Sequence, residues 1–531
     1  MCLISFLNCL ITLTVLNSIN GQVDDNLIVE LSHGKLQGKD RGFYYSYESI
    51  PYAKAPVGEL RFESPQPYDD KWHDIFDATK APVACLQWNQ LKNGENKLQG
   101  FEDCLFVNIY KPKTGKEKYP VVVFIHGGAF MFGAANIYGE DILMKSGEIM
   151  FVTISYRLGP LGFLSTHDEI ISGNYGLKDQ QLALKWIKNT IQCFNGDPEK
   201  ILLMGFSSGG ASAHLHMLNP YADNMVKAVF TVSGVALNPW VIMNKPKEKA
   251  LRLAQILECP DTTNTNAIKH CLKQKPADDI VTSVREFLNW GYNPVVTFGP
   301  VVEHKSSPQA FMTEHPRDII KTGNYLPVPW LASYTTEDGA YNAAPLMEIN
   351  PRTEEPYINN FKEKWLELAP QNLFLDNLSK DPVNYAQELL DHYMGNLTFS
   401  EENYLKLQKL YTDVIYRYGL EEVVKLHGIH RKAAVYAYVY ANPSDFSLAN
   451  ILAKRNDIKF GNNDLKEKLL LHCFEMKQLF LGTAHGDDLS LMLSFPGRSF
   501  RSDEEVVSQN LIKMLEDFVK EGYVYQQKML Y

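Results

Sequence analysis

Short apolar runs alternate with amphipathic stretches along most of the chain. Residues 27–50 alternate apolar and polar positions, which predicts antiparallel strands. Further apolar or β-branched runs predict strands at residues 105–110, 120–125, 151–156, 201–204, 226–232, 327–334 and 434–440. Helical patterns mark residues 179–191, 240–290, 356–432 and 504–522. Strands that alternate with helices predict an α/β fold, with a central, mostly parallel twisted sheet flanked by helices.

The chain is long enough for several domains, but nothing in it marks a boundary. Of its 531 residues, 45% are hydrophobic, which is ample for a large core. Length alone suggests about three domains, yet no Pro/Gly/Ser-rich linker, repeat or low-complexity block divides the chain. We therefore expect one large domain over residues 22–531. The formal net charge of −10 argues against nucleic acid or an anionic membrane surface as a partner.

The N-terminus has the pattern of a targeting segment. Residues 2–16 are apolar and uncharged, and small or polar residues follow up to Gly21. This pattern predicts a signal peptide over residues 1–21 and an extracellular, secreted protein. An uncleaved membrane anchor is the alternative. No other segment is predicted to span a bilayer, so the mature chain is expected to carry no integral membrane span.

One stretch fits a motif that carries chemistry. Residues 205–209 read Gly-Phe-Ser-Ser-Gly, which fits G-x-S-x-G directly after a predicted strand. This spacing is typical of a sharp turn from a strand into a helix, with Ser207 exposed at its apex. The flanking glycines allow the turn because they have no Cβ to clash with neighbouring backbone. An ordinary Gly/Ser-rich turn is the alternative for the motif alone.

A nucleophilic serine needs a base to take its proton and an acid to orient that base. On α/β-hydrolase sheets these groups follow in the chain order nucleophile, acid, base, each in a loop after a strand. Ser207, Asp338 and His485 meet that order. Glu337 is the neighbouring carboxylate, and composition does not choose between the two. Since adjacent residues on an extended segment point to opposite sides, only one of them is expected to face His485.

A second loop supplies the donors that an acyl-transfer reaction requires. The tetrahedral intermediate carries an oxyanion, which preorganised N–H groups stabilise. The sequence His126-Gly-Gly-Ala follows a predicted strand and resembles the HGGG-type loop. We expect the backbone N–H groups of Gly128, Ala129 and Ser208 to form this oxyanion hole.

With these elements in order, the chain resembles the type-B carboxylesterases of the carboxylesterase/cholinesterase family and is similar to insect secreted esterases. The matching segments are Ile50 to Arg61, Glu102-Asp103-Cys104-Leu105, Asn174 with Gly176, Asp179 and Gln180, Val328-Pro329-Trp330, and Gly482 to Leu489. The resemblance implies an α/β-hydrolase fold and hydrolysis of a small-molecule ester through an acyl-enzyme on Ser207. It also places the acid directly before a glycine, which favours Asp338 over Glu337.

The chain departs from the family pattern at the site itself. The family elbow usually reads Gly-Glu-Ser-Ala-Gly and its acid is usually Glu, whereas this chain has Phe206, Ser208 and Asp338. Phe206 is expected to change hydrogen bonding in the substrate pocket, and Ser208 keeps the backbone N–H that the oxyanion hole needs. Trp240 is expected to wall the acyl side of the pocket, with a role as a core tryptophan as the alternative.

Cysteines and sequons agree with an oxidising compartment. Cys85 with Cys104, and Cys259 with Cys271, each bracket a short polar segment and are natural loop closures, and the resemblance implies the same two disulfides. Cys193 and Cys473 lie in apolar contexts and are expected to be buried free thiols. Asn377 and Asn396 begin N-glycosylation sequons.

We therefore predict a secreted serine carboxylesterase that uses no cofactor and no metal, because the sequence has no H-E-x-x-H motif or Cys/His cluster. A binding protein that has lost catalysis is a second possibility, but the three triad residue types are all retained. A sequestering esterase with slow turnover is a third. The sequence does not identify the physiological ester.

Overall fold

The computed structural model describes most of the chain. The described residues are 27–92, 97–222, 224–348, 357–397, 403–442, 444, 446–447, 482–495 and 497–524. The predicted signal peptide of residues 1–21 and the predicted free thiol Cys473 lie outside these residues.

The strands agree closely with the alternating pattern of the sequence. They are β1 Ile28–Leu31, β2 Gly34–Gln37, β3 Lys39–Asp40, β4 Tyr44–Pro51, β5 Phe76–Asp77, β6 Gln87–Trp88, β7 Leu98–Gln99, β8 Phe106–Pro112, β9 Tyr119–Ile125, β10 Met150–Ile154, β11 Gly196–Phe206, β12 Ala228–Val232, β13 Trp330–Thr335 and β14 Val435–Tyr440. Nine of them form one sheet in the order β14-β13-β12-β11-β9-β10-β8-β4-β3. In this sheet β9 to β14 pair in parallel, whereas β8, β4 and β3 add antiparallel strands at one edge. The predicted α/β fold with a mostly parallel sheet is confirmed.

Helices connect the parallel strands and cover the sheet. The α-helices are α1 Asp141–Met144, α2 Gly159–Phe163, α3 Tyr175–Thr190, α4 Ser208–Met217, α5 Pro246–Ile256, α6 Thr265–Gln274, α7 Ala277–Thr282, α8 Pro316–Thr322, α9 Ala340–Ala343, α10 Tyr357–Glu363, α11 Trp365–Asn372, α12 Pro382–Tyr393, α13 Tyr404–Tyr411, α14 Tyr418–His430 and α15 Ser502–Glu521. A π-helical segment, Thr412–Arg417, joins α13 to α14. Helix α3 begins four residues before its predicted start, because the buried Asp179 belongs to the helix interior, where it pairs with Arg157.

The continuous apolar strands are buried because both faces of the sheet are covered. Every residue of β9 is buried. Val121, Val123 and Ile125 join the larger hydrophobic cluster, whereas Val122 and Phe124 join the one on the opposite face. The second cluster also contains the apolar side of α15, with Leu511, Leu515, Phe518 and Val519. Each described helix is either too short or too polar to cross a bilayer.

The cysteines that the structure describes follow the expectations except at one position. The structure contains the disulfides Cys85–Cys104 and Cys259–Cys271. Cys193 is free, but it is exposed rather than buried. It lies in a single helical turn in which Ile191 and Phe194 are the buried residues, and the two positions between them, Gln192 and Cys193, are exposed. The apolar residues around Cys193 are themselves buried, but they do not make Cys193 buried.

Candidate active site

The predicted turn at Ser207 is present between β11 and α4. The backbone of Ser207 has φ 56° and ψ −120°, a sparsely populated conformation for a non-glycine residue. Such a conformation costs about 1–3 kcal/mol and persists only where the surroundings enforce it. Here the Ser207 N–H donates to the carbonyl of Val232 at 2.8 Å, which ties the turn to the end of β12.

Three glycines allow the neighbouring backbones to approach this turn. A Cβ on Gly205 would overlap the carbonyl of Gly209, and a Cβ on Gly209 would overlap the carbonyl of Ile125 at the end of β9. A Cβ on Gly234, after β12, would overlap the carbonyl of Ser207. The chain therefore packs the ends of three parallel strands around the serine only because these side chains are absent.

The structure brings Asp338 and His485 together. Asp338 Oδ1 lies 2.8 Å from His485 Nδ1, and the two side chains are 0% and 3% exposed. The other carboxylate oxygen accepts hydrogen bonds from Ser233 Oγ at 3.1 Å and from the Thr335 N–H at 2.9 Å. Because a carboxylate can only accept, Nδ1 carries the imidazole proton and Nε2 is left as the basic nitrogen.

Glu337 points elsewhere. Its Oε2 accepts a hydrogen bond from the Thr483 N–H at 2.9 Å, while the Glu337 N–H donates to the Thr483 carbonyl at 3.2 Å. The side chain of Glu337 thus links the loop after β13 to the loop that carries His485. Asp338, immediately next to it, takes the opposite direction toward His485.

The sequence analysis missed two further carboxylates that hold the histidine loop. Asp487 Oδ2 accepts a hydrogen bond from the Ala484 N–H at 2.8 Å. Asp488 Oδ2 accepts from Ser333 Oγ at 2.9 Å and from the Tyr438 hydroxyl at 3.0 Å. Burial raises the pKa of Asp488 to about 6, although these hydrogen bonds oppose the shift. The signal was present as an Asp-Asp pair shortly after His485.

The predicted oxyanion loop has an unusual backbone. Gly128 and Ala129 both have positive φ, at 122° and 57°, and a Cβ on Gly128 would overlap the Phe132 carbonyl. The Gly128 carbonyl accepts from the N–H groups of two later loop residues. Gln87 fixes the loop from outside, because its side chain accepts from the Gly133 N–H at 2.7 Å and donates to the Gly133 carbonyl at 2.9 Å. Ser208 is buried at the first position of α4.

A cavity of about 210 Å³ connects these parts. Ser207, His485, Gly128 and Ala129 all line it. The other described side chains that line it carry no carboxylate, ammonium or guanidinium group, and they include Phe132, Tyr138, Phe206, Trp240, Val295, Val296, Tyr341, Phe374, Ile415, Tyr416 and Phe495. The two predicted pocket residues, Phe206 and Trp240, are thus both in the wall, and Trp240 is fixed by a 3.0 Å hydrogen bond from its Nε1 to the Ile415 carbonyl.

Other expected or conceivable sites are less supported. The Asn377 side chain donates to the carbonyls of Pro239 at 2.6 Å and Ile242 at 2.9 Å. A glycan on this nitrogen would disrupt at least one of those bonds, which argues against occupancy. Asn396 is exposed, and its glycosylation stays a prediction. In the described part of the chain, no three His, Cys, Asp or Glu side chains are grouped so that they could hold a metal ion.

Comparisons with known proteins agree with this geometry. The sequence matches the family model "Carboxylesterase family" over residues 25–528. Esterase-5A of Drosophila pseudoobscura pseudoobscura is 46% identical over 524 residues, covering 97% of this chain and 92% of the relative. Esterase P of Drosophila melanogaster is 47% identical over 500 residues, with coverages of 93% and 88%. The crystal structure of juvenile hormone esterase from Manduca sexta, with OTFP covalently attached, shares the fold: the TM-score is 0.78 at 23% identity, over 94% of this chain and 91% of that chain.

Proposed function

The chain belongs to the carboxylesterase family and is a carboxylic ester hydrolase, and from this premise we propose that it acts through an acyl-enzyme on Ser207. The observation that carries the proposal is the geometry of one cavity. Ser207 and His485 line it together, and Asp338 is hydrogen-bonded to the imidazole nitrogen that the reaction does not use. This is the arrangement that converts a weakly nucleophilic hydroxyl into a nucleophile.

In the proposed first half-reaction, Ser207 Oγ attacks the ester carbonyl while His485 Nε2 takes the hydroxyl proton. The tetrahedral intermediate collapses when the carbonyl re-forms, the ester C–O bond breaks, and the same imidazole protonates the departing alcohol. Asp338 orients the ring and stabilises its cation. Water then enters, loses a proton to His485 and attacks the acyl-enzyme, which releases the acid and restores Ser207.

The oxyanion of both tetrahedral intermediates is proposed to accept hydrogen bonds from the backbone N–H groups of Gly128, Ala129 and Ser208. Support comes from the two positive-φ residues of the loop and from the position of Ser208 at the start of α4. Donors fixed before the reaction stabilise the developing charge without reorganising, which is typically worth about 10²–10³ in kcat for one donor.

The substrate is proposed to be a neutral ester with apolar groups. Most of the cavity wall that the described residues form is aromatic or aliphatic, and these residues include no Asp, Glu, Lys or Arg side chain. A charged acyl or alcohol group would lose its hydration there without gaining a counter-charge. A series of neutral and charged 4-nitrophenyl esters tests this expectation, and equal kcat/KM for matched neutral and carboxylate-bearing esters would contradict it.

Replacement of the nucleophile tests the mechanism. Ser207→Ala should reduce kcat on a neutral aryl ester by about 10⁶-fold and abolish covalent labelling by a fluorophosphonate. Ser212→Ala is a matched control, because Ser212 lies on the same helix and its hydroxyl donates to the Ser208 carbonyl at 2.8 Å. Peptide mapping of the labelled wild-type protein should identify Ser207, and labelling that persists in Ser207→Ala would reject the assignment.

We also propose that the protein is secreted. The apolar N-terminal segment and the two disulfides support this, since disulfides persist mainly in oxidising compartments. Expression of the full chain in a secreting cell should release protein whose N-terminus is near Gln22. Recovery only in the cell, with Met1 retained, would contradict the proposal.

A further inference from the structure

Three aromatic rings surround the imidazole of His485. The ring centroid of Tyr416 lies 4.6 Å from that of His485, and that of Phe206 lies 4.7 Å away, at interplanar angles of 36° and 37°. The ring centroid of Tyr341 lies 5.2 Å from that of His485, in a T-shaped arrangement with an interplanar angle of 60°. We call these three side chains the aromatic clamp.

Each member of the aromatic clamp comes from an element that already builds the site. Phe206 is the last residue of β11 and immediately precedes Ser207. Tyr341 lies on α9, three residues after Asp338. Tyr416 lies on the π-helical segment between α13 and α14. The aromatic clamp therefore joins three elements at His485: the turn that carries Ser207, the loop that carries Asp338 and the helices that cover the sheet.

The π-helical segment is tied to the site at several points. The carbonyls of Ile415 and Tyr416 accept hydrogen bonds from the side chains of Trp240 at 3.0 Å and Asn238 at 2.7 Å. Thr412 Oγ1 accepts from the Gly339 N–H, directly after the acid, at 2.9 Å. Single π-helical turns occur frequently at functional sites, and here the turn fixes the backbone that carries the ring of Tyr416.

The rings themselves have little freedom. The Tyr416 hydroxyl donates to Asn342 Oδ1 at 3.1 Å, and burial raises the pKa of this phenol well above its usual range, so it stays neutral. Phe206 is 5% exposed. A Cβ on Gly127 would lie only 2.9 Å from the Phe206 ring, which shows how closely the oxyanion loop packs against it.

The rings of the aromatic clamp can stabilise the positive charge that His485 acquires in the proposed mechanism. In the proposed mechanism the imidazole becomes a cation each time it takes a proton, in a cavity whose described wall has no Asp, Glu, Lys or Arg side chain. Aromatic faces attract a cation by about 0.5–2 kcal/mol, more when water is excluded. Among the described residues, the ionisable groups on the elements packed around this ring include Asp338, which bonds Nδ1, Glu337, which bonds the Thr483 N–H, and Asp487 and Asp488 on the loop of His485. They also include the phenols of Tyr138, Tyr341 and Tyr416.

We propose that Phe206, Tyr341 and Tyr416 are positioning residues for His485, which hold its ring against Asp338 and stabilise its cationic form. The inference rests on the proposed role of His485 as the base. It assigns to Phe206, where the sequence departs from its family, a role in the reaction beyond shaping the pocket.

The test compares ring-deleting and ring-conserving variants of the full-length enzyme. Phe206→Leu and Tyr416→Leu should each lower kcat on 4-nitrophenyl butyrate about 3- to 30-fold. They should also move the midpoint of the acidic limb of the kcat profile to lower pH, by roughly half a unit to one unit, because the cation loses its support. Tyr416→Phe keeps the ring and should retain the wild-type midpoint.

Phe374→Leu is the matched control, since Phe374 lines the same cavity but is not one of the three clamp rings. Phe374→Leu should change KM but leave the midpoint of the acidic limb of the kcat profile at its wild-type pH. Titration of active sites with a fluorophosphonate separates the two proposals: absence of labelling at Ser207 in the wild type rejects the proposed function itself. If the Leu variants label fully and melt like wild type, but their acidic limb does not move, the clamp proposal is wrong. A shift in Tyr416→Phe as large as in Tyr416→Leu would also overturn it.

Discussion

Two of the buried histidine side chains in the described part of the chain, His485 and His214, have different hydrogen-bond partners, and only His485 bonds a carboxylate. His485, 3% exposed, pairs with Asp338 at the cavity. His214, 0% exposed, lies on α4 behind the nucleophile turn, and its Nε2 is 3.1 Å from Nε2 of His427 on α14. Both pairs are packed by aromatic rings, since His214 stacks on Trp330 with centroids 5.0 Å apart.

The difference lies in what each imidazole nitrogen contacts. His214 Nδ1 accepts a hydrogen bond from the Ala236 N–H at 3.1 Å, so its Nε2 must donate to His427. Both nitrogens of His214 are thus used inside the protein, and no described carboxylate forms a hydrogen bond with this ring. Burial lowers the pKa of His214 well below its usual value and that of His427 to about 4. Burial without a carboxylate partner therefore keeps His214 and His427 neutral, whereas His485 has both a carboxylate partner and a place in the cavity wall, which supports its proposed role as the base.

The largest difference in kcat should appear between variants that lack one histidine of each pair. His485→Gln should lower kcat by about 10⁶-fold, as loss of the base does in other serine hydrolases. His214→Gln should leave kcat within about tenfold of wild type, because His214 does not line the cavity, but should lower the free energy of unfolding by about 1–3 kcal/mol through lost buried hydrogen bonds. Ester hydrolysis and urea unfolding measure the two effects. Equal losses of kcat in the two variants would remove the distinction.

Removal of the charge on the acid should have the next largest effect. Asp338→Asn preserves shape but no longer fixes the productive tautomer, and the corresponding change in chymotrypsin-type enzymes lowers kcat by about 10⁴. Glu337→Gln is the neighbouring control, and it should cost about tenfold or less because an amide oxygen can still accept the Thr483 N–H. Single-turnover hydrolysis of an aryl ester distinguishes them. The reverse ranking would assign the acid to Glu337.

The smallest effect concerns the pH dependence of stability. The pKa of His427 is lower in the folded protein than the usual value near 6.5, so the unfolded chain takes up the proton first as pH falls. Stability is therefore lost between about pH 6.5 and 4, by up to about 3 kcal/mol for this group. Urea unfolding at pH 7 and pH 4.5 should show that wild type loses more stability than His427→Gln. Parallel losses in both proteins would contradict the neutral state of the pair.

Sequence reasoning reached the parts of the site that have a local signal. The glycines next to Ser207 predict the sharp turn there. The chain order of Ser207, Asp338 and His485 was predicted from the strands that precede their loops. Tyr416 had no such signal, because its contact with His485 joins distant segments and a π-helical turn has no simple periodicity. The composition of the loop did not choose between Asp338 and Glu337, although the family resemblance favoured Asp338. The choice depends on a contact between distant segments, because Glu337 bonds the Thr483 backbone and Asp338 bonds His485. The prediction that Cys193 is buried was wrong because it was based on the apolar neighbours Ile191 and Phe194, which are buried while Cys193 is exposed.

The order of the parallel strands has a consequence for biosynthesis. In the sheet, β11, β12, β13 and β14 lie side by side in the same order in which a ribosome produces them. Each new strand can dock on the edge left by its predecessor, so the serine turn is placed early and the acid arrives with β13. The base follows the last of these strands in the chain. In the proposed mechanism, a nascent polypeptide that already contains Ser207 therefore lacks its proposed base, His485, until translation is nearly complete.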